Sequence, residues 1–239
     1  HFRLLTGFND IFVGIATVIL LVAVAWIGHY IGPNVDGPGN GPSPTSGLLV
    51  AATAWGLAEF FTRQRRMALP SIILLLAFVG GVFASVAFAS VLALAVEGGD
   101  NTRTGMFILV GSAAVAAVAA WLHWRRFRVP ITVAAGVAAL VALALGLVAS
   151  AFAGPNMSEA EIEAMRRAME VGALLLGVGV FLFAMRWDAS DPRRETRRSD
   201  VAFWLHLLAA PLIVHPVFSL LGLTDGVVTA LEAVIVVLL

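Results

Sequence analysis

The chain consists of long apolar blocks separated by short polar connections. Within each block, apolar residues occupy all sides of a helix rather than one stripe, which is typical of helices surrounded by lipid. A transmembrane helix needs about 20 mostly apolar residues. The pattern therefore predicts about eight spans, at residues 11–31, 47–62, 71–96, 105–124, 129–152, 158–186, 201–221 and from 225 to the end. The segment at 32–46 is rich in Gly, Pro, Asn and Ser and is predicted to be a loop.

Composition supports lipid rather than water as the solvent. Of the 239 residues, 60% are hydrophobic and 13% are charged, whereas a soluble domain carries about 25% charged residues. Too few polar side chains remain to cover a surface in water. We therefore predict an all-α fold, a polytopic transmembrane helix bundle forming one integral-membrane domain over residues 1–239, with the lipid bilayer as its main partner.

Arginine alternates from one connection to the next. The arginine-rich connections follow predicted spans two, four and six, and contain Arg63, Arg65, Arg66, Arg125, Arg126, Arg128, Arg186, Arg193, Arg194, Arg197 and Arg198. The other connections are acidic or poor in arginine, except the one after span five, which contains Arg166 and Arg167. Positive residues concentrate in cytoplasmic loops. We therefore expect a bacterial inner-membrane protein with its N-terminus and its arginine-rich loops in the cytoplasm.

Several chemistries are excluded by composition. The chain has no lysine, so a retinal Schiff base is impossible, and without cysteine it has no thiol or disulfide chemistry. Its net charge is zero, so no basic field indicates nucleic acid. The sequence contains no His-x-x-x-His, His-Glu-x-x-His or Asp-x-Asp cluster, and we expect neither a metal ion nor another cofactor.

The organisation of the chain suggests truncation and an internal repeat. It begins at His1 without a methionine and ends inside the apolar run 234–239, so we expect the natural protein to be longer at both ends. An R-R-x-x-x-P pattern occurs at 65–70 and again at 125–130. It marks either ordinary cytoplasmic hairpins or a duplicated two-helix unit, with hairpin repeats at 47–97, 105–153 and 158–222.

Local patterns predict further details. Ser158 and Glu161 form an S-x-x-E capping box at the start of helix six. Arg166 and Glu170 are spaced to pair on one helix face. Small residues four positions apart predict helix-packing faces, at Ser112, Ala116 and Ala120 and at Gly80 and Ala84.

Two ionisable residues lie deep within predicted spans. His215 is about seven residues from one end of span seven, and Glu232 is about seven residues inside span eight. Because these spans are sequential and antiparallel, we predict that the two side chains meet or line one wet cavity, where the pair could hold and release a proton. The alternative is a neutral hydrogen bond that joins two helices.

Span seven also contains two prolines, Pro211 and Pro216. A proline inside a helix removes a hydrogen bond and clashes with the preceding turn. We therefore predict a kink beside His215, and broken helices mark binding sites in many transporters. Kinked helices without any site are also common.

A second polar group is predicted near the cytoplasmic side. It comprises Asp10 at the start of span one, Glu59 in span two and His206 in span seven. Glu59 can pair with Arg63 one turn later and reach the membrane interface. His123 is predicted to belong to the interfacial belt.

Three functions are compatible with these features. The first is a transporter or channel for protons or a small solute, built on the His215/Glu232 pair. The second is a non-catalytic structural or assembly subunit, which would form a homo-oligomer or bind a membrane-protein partner. The third, an intramembrane enzyme acting on lipid with His206 or Glu59 at its cleft, has no catalytic motif behind it, so an enzyme is the less favoured class.

Overall fold

The described secondary structure is entirely helical. A computed structural model describes residues 8–94, 102–154, 157–193 and 196–222. Within these ranges the helices are α1 (Phe8–Ile31), α2 (Pro44–Ala58), α3 (Ala68–Ala93), α4 (Thr102–Phe127), α5 (Ile131–Phe152), α6 (Glu159–Ala189) and α7 (Arg197–Leu220). A π-helical segment, Glu59–Gln64, continues α2 without a break.

Six of these helices are long and apolar enough to cross a membrane: α1, α3, α4, α5, α6 and α7. The α-helical part of α2 has 15 residues and begins at Pro44, a position where the fixed φ of proline suits a first helical turn. The loop predicted at 32–46 therefore ends three residues earlier than expected. The predicted eighth span lies outside the described residues. The findings support a multi-pass helical membrane protein.

The surface of the bundle is apolar and its interior is built from small residues. Ile19, Leu175 and Leu182 are exposed over 65%, 68% and 62% of their surface, as expected for side chains that contact lipid. Ala54 and Ala184 are fully buried. Close helix packing through small residues is the usual way for membrane helices to associate, because lipid is as apolar as leucine and gives no hydrophobic driving force.

Consecutive helices pack against one another, and α1 also contacts α3 while α7 also contacts α5. The predicted face on α4 is confirmed, since Ser112, Ala116 and Ala120 are all buried. The predicted face at Gly80 and Ala84 is wrong in register. Gly80 faces open space, and it is Gly81 that lies against α2.

Backbones approach each other closely where α2 crosses α3. A Cβ atom added to Gly47 would lie 2.6 Å from the carbonyl oxygen of Gly81, and one added to Gly81 would lie 2.7 Å from the carbonyl oxygen of Gly47. Neither position has room for a side chain. This contact holds α2 against α3.

The α2–α3, α4–α5 and α6–α7 connections meet at one end of the bundle, which we call the arginine end. Arg66 and Arg128 each have a φ of 56° there, and they are the non-glycine residues with positive φ in the described part of the chain. Glycine is the usual residue for this left-handed conformation after a helix. Another residue in it stores strain on the order of 1–3 kcal/mol.

The predicted repeat remains a prediction. Arg66 and Arg128 occupy similar backbone positions in two connections. The prolines of the R-R-x-x-x-P pattern do not, because Pro70 is the third residue of α3 whereas Pro130 precedes the first residue of α5.

Candidate functional site

A buried carboxylate joins α6 to α7 near the end of the bundle opposite the arginine end. Glu170 is 8% exposed. Its Oε1 accepts hydrogen bonds from Arg166 Nη1, at 2.5 Å, and from the hydroxyl of Ser219 on α7. Its Oε2 is buried and has no hydrogen-bond partner within the described residues. Glu170 therefore places a carboxyl group in the contact between two helices, and one of its two oxygens is left unsatisfied by the described residues.

Glu170 stands at the beginning of the uncharged run 171–185 of α6. Sixteen residues separate it from the exposed Arg186 near the other end of the helix, or about 24 Å at 1.5 Å per residue. The hydrocarbon layer is about 30 Å thick. A carboxylate within that layer is costly and is a functional candidate by default.

Arg166 is shared between two carboxylates. Its Nε and Nη2 donate to Glu163 at 2.9 and 2.8 Å, while its Nη1 donates to Glu170. The side chain of Glu163 is 41% exposed and that of Glu170 is 10% exposed. The arginine thus connects a buried carboxylate to an exposed one, and it can stay paired with Glu163 if it leaves Glu170. The i,i+4 pair of Arg166 and Glu170 was predicted from the sequence, but the burial of Glu170 was not.

His215 lies close to this cluster along α7. It comes four residues before Ser219, so the two residues are neighbours on one side of the helix. His215 is exposed, and Pro216 beside it is buried. Pro211 and Pro216 both lie inside α7. Glu232 lies outside the described residues, so the His215/Glu232 pair remains a prediction.

The three residues of the second polar group are not brought together by shared contacts. The ring of His206 packs against that of Phe181 on α6, with centroids 5.4 Å apart. Asp10 is buried on α1, and its Oδ2 accepts a hydrogen bond of 3.1 Å from the backbone N–H of Ala68. Because Ala68 is the first residue of α3, Asp10 caps that helix from a neighbouring one.

Glu59, the third residue of the second polar group, forms an ion-pair cluster. It accepts from Arg63 at 3.3 Å, as its spacing predicted, and from Arg126 Nε and Nη2 at 2.7 and 2.9 Å. The contact with Arg126 is a bidentate bond between the π-helical segment and α4. As pathway residues, Asp10, Glu59 and His206 stay predictions.

His123 was predicted to be an interfacial residue, and this prediction is wrong. Its side chain is fully buried among the rings of Trp55, Phe78 and Phe127. Its Nδ1 lies 3.3 Å from the hydroxyl of Thr132, and its Nε2 has no hydrogen-bond partner within the described residues. Arg125, Arg126, Arg128 and the adjacent Trp124 suggested an interface, but α4 continues past His123 to Phe127.

The described residues contain no group of three or more His, Cys, Asp or Glu side chains that could hold a metal ion. Comparisons with protein-family models, with curated proteins and with solved structures find no match to this chain. Function must therefore be argued from the side chains themselves.

Proposed function

We propose that this protein is a transporter or channel that moves protons or a small solute across the membrane along the contact between α6 and α7. We place it in a bacterial inner membrane with its arginine end in the cytoplasm, following the distribution of arginine among the connections. The observation that carries the transport proposal is the buried Glu170, which lies one helical turn of α7 away from His215 by way of Ser219.

The chemistry at Glu170 suits a proton carrier. As a carboxylate it is compensated by Arg166 and by the hydroxyl of Ser219. Once protonated it no longer needs that cation, and Arg166 can remain bound to the exposed Glu163. Protonation would thus break one of the two ion pairs of Arg166 and keep the other, so that Arg166 stays paired.

His215 and Glu232 extend this route in the proposal. His215 lies four residues before Ser219 on α7, and in the proposal it passes the proton on to Glu232 on the next helix. The proposal requires a proton or solute to pass from Glu170 towards His215, so both Glu170 and His215 must affect transport.

The experiment is proton uptake into liposomes that contain the purified protein and an internal pH-sensitive dye. Glu170→Gln keeps the shape of the side chain and removes its titration, so we expect it to lose most of the pH-driven uptake. Glu159→Gln is the matched control, because Glu159 is an exposed glutamate at the start of the same helix, and it should keep most of the uptake. A folded, monodisperse Glu170→Gln variant with unchanged uptake would refute the proposal.

The alternative of a structural or assembly subunit makes the opposite prediction. Such a protein would be inactive in liposomes when purified alone and would be isolated in mild detergent with a homo-oligomeric or membrane-protein partner. For the lipid-enzyme hypothesis, His206 and Glu59 contact different helices, α6 and α4 respectively, and no described contact joins them in one cleft.

A further inference from the structure

A cavity of about 410 Å³ lies at the arginine end. The π-helical segment, α3, the α4–α5 connection and α7 all contribute to its wall. Its volume lies within the range of about 300–1,000 Å³ that is usual for small-molecule sites. Five of its lining residues are arginines, Arg63, Arg66, Arg126, Arg128 and Arg197.

Among the described residues that line this cavity, positive charges outnumber negative ones. Asp200 is the acidic residue in its wall. Glu59, just behind the wall, is already bonded to Arg126 and Arg63. Apart from Arg63 and Arg126, which bind Glu59, the described lining contains Arg66, Arg128 and Arg197 and one aspartate, and an anion in the cavity would relieve the mutual repulsion of these cations.

One hydrogen bond holds two arginine-bearing segments of the wall together. The Nη1 of Arg197, at the start of α7, donates to the backbone carbonyl of Arg128 at 3.1 Å. This bond ties α7 to the α4–α5 connection. It keeps the guanidinium of Arg197 beside the segment that carries Arg128.

The backbone around the cavity is irregular at the places where arginines enter it. Arg66 and Arg128 hold the left-handed conformation that glycine would adopt without strain. Arg63 belongs to the π-helical segment, and such segments are frequent at functional sites. Strain retained at two arginines that line one cavity indicates that their side chains are needed there.

An unsatisfied polar atom and an apolar wall complete the cavity. The buried hydroxyl of Thr62, a lining residue, has no hydrogen-bond partner within the described part of the chain. Ile72, Phe203 and Trp204 form part of the wall, and Phe203 is 59% exposed. The site therefore combines cations with apolar surface near the lipid-facing side of α7.

We propose that this cavity binds a phosphate group, either from the headgroup of an anionic phospholipid or from a small phosphate ester. Guanidinium groups form paired hydrogen bonds with phosphate oxygens, and basic pockets between transmembrane helices bind anionic headgroups in other membrane proteins. The proposal goes beyond transport and does not depend on it, because a protein that moves no protons could still bind phosphate here.

The test compares Arg66→Gly and Arg128→Gly with Arg65→Gln. Glycine relieves the backbone strain, so the first two variants should fold at least as well as the unmodified protein. Arg65 is next to Arg66 but does not line the cavity, so Arg65→Gln controls for the loss of one charge in the same connection. The measurement is the thermal unfolding midpoint of delipidated protein in detergent, with inorganic phosphate, glycerol phosphate or sodium chloride at equal ionic strength.

We expect either phosphate compound to raise the midpoint of the unmodified protein and of Arg65→Gln by about 2–4 °C, at roughly five times the dissociation constant. The two glycine variants should lose this shift. A second arm measures the midpoint in vesicles of phosphatidylglycerol and of phosphatidylcholine. A shift in phosphatidylglycerol alone assigns the site to a lipid headgroup, and a shift with glycerol phosphate but not with phosphatidylglycerol assigns it to a soluble ester.

Three results would overturn the proposal. The first is no stabilisation by any phosphate-bearing probe. The second is an equal shift with sodium chloride or in the glycine variants, and the third is an equal loss of the shift in Arg65→Gln. Because these readouts are binding shifts and not fluxes, they remain valid if Glu170 proves to have no part in transport.

Discussion

Arg166 Nη1 lies 2.5 Å from Glu170 Oε1, and this pair joins a half-exposed cation to a buried carboxylate one turn further along α6. Ser219 binds both residues from α7, since its hydroxyl donates to Glu170 and lies 3.1 Å from Arg166 Nη1. The pair therefore belongs to the contact between two helices as well as to one helix surface. Removing this ion pair should lower the stability of the protein as well as its transport activity.

Glu170→Ala should destabilise the protein by about 1–3 kcal/mol, because Ser219 and Arg166 lose a buried acceptor. The measurement is the unfolding midpoint in detergent or in a denaturing-detergent titration. Glu163→Ala should change stability little, since exposed ion pairs contribute little. Equal effects of the two substitutions would show that the burial of Glu170 has no energetic consequence.

Gly81→Ala should destabilise the contact between α2 and α3, whereas Gly80→Ala should not. A Cβ at Gly81 would lie 2.7 Å from the backbone oxygen of Gly47, and a Cβ at Gly80 meets nothing within 4 Å. Forcing atoms into a packed contact costs about 1–3 kcal/mol, while alanine is favoured over glycine in a helix by about 1 kcal/mol. Unfolding midpoints of the two neighbouring variants should therefore move in opposite directions.

Asp10→Ala should weaken the start of α3 by about 0.5–2 kcal/mol, the usual cost of losing a helix cap. Asp10→Asn keeps an oxygen that can accept the hydrogen bond from the N–H of Ala68, so it should retain most of the stability. Hydrogen exchange at the first turn of α3 would locate the effect. If Asp10→Asn were as harmful as Asp10→Ala, the charge rather than the hydrogen bond would be responsible.

Cysteine labelling should place the arginine end in the cytoplasm. The chain has no native cysteine, so single cysteines at Arg65 and at Asn40, in the α1–α2 connection, give an unambiguous signal. In intact cells a membrane-impermeant maleimide should label Asn40→Cys and leave Arg65→Cys unlabelled until the membrane is opened. The reverse pattern would show that the arginine rule fails for this protein.

His215→Gln and Glu232→Gln should each reduce proton uptake in liposomes. If the two residues act as the predicted pair, the double variant should be no worse than the poorer single variant, because effects within one functional unit are not additive. Normal uptake in both single variants would leave Glu170 without a partner on this route and would remove His215 and Glu232 from the proposal.

The sequence predicted what depends on near neighbours. The Ser158–Glu161 capping box is confirmed with both of its hydrogen bonds, and the spacing of Glu59 and Arg63 correctly predicted an ion pair. Helix positions followed from the length of each apolar block, although most helices extend a few residues into the polar flanks. Such flanks lie beyond the hydrocarbon layer, where hydropathy no longer marks the end of a helix.

The contacts that could not be predicted from the sequence join residues far apart in the chain. Arg126 is 67 positions from Glu59, and Ser219 is 49 positions from Glu170. Predicting them requires the rotation of each helix about its own axis. Helices that are apolar on every side carry little information about that rotation, and this is also why Gly80 was preferred to Gly81 and why the burial of His123 was not foreseen.

The α-helical part of α2 has 15 residues and reaches about 22 Å, so α2 matches a hydrocarbon layer of about 30 Å only with the π-helical segment that continues it. The helix therefore has no residues to spare at either end. The contact between Gly47 and Gly81 places the longer helix α3 beside α2, where it can shield α2 from lipid. Membrane insertion of α2 is therefore expected to occur as a hairpin with α3, so that damage to their contact would impair biogenesis before it impaired any activity of the finished protein.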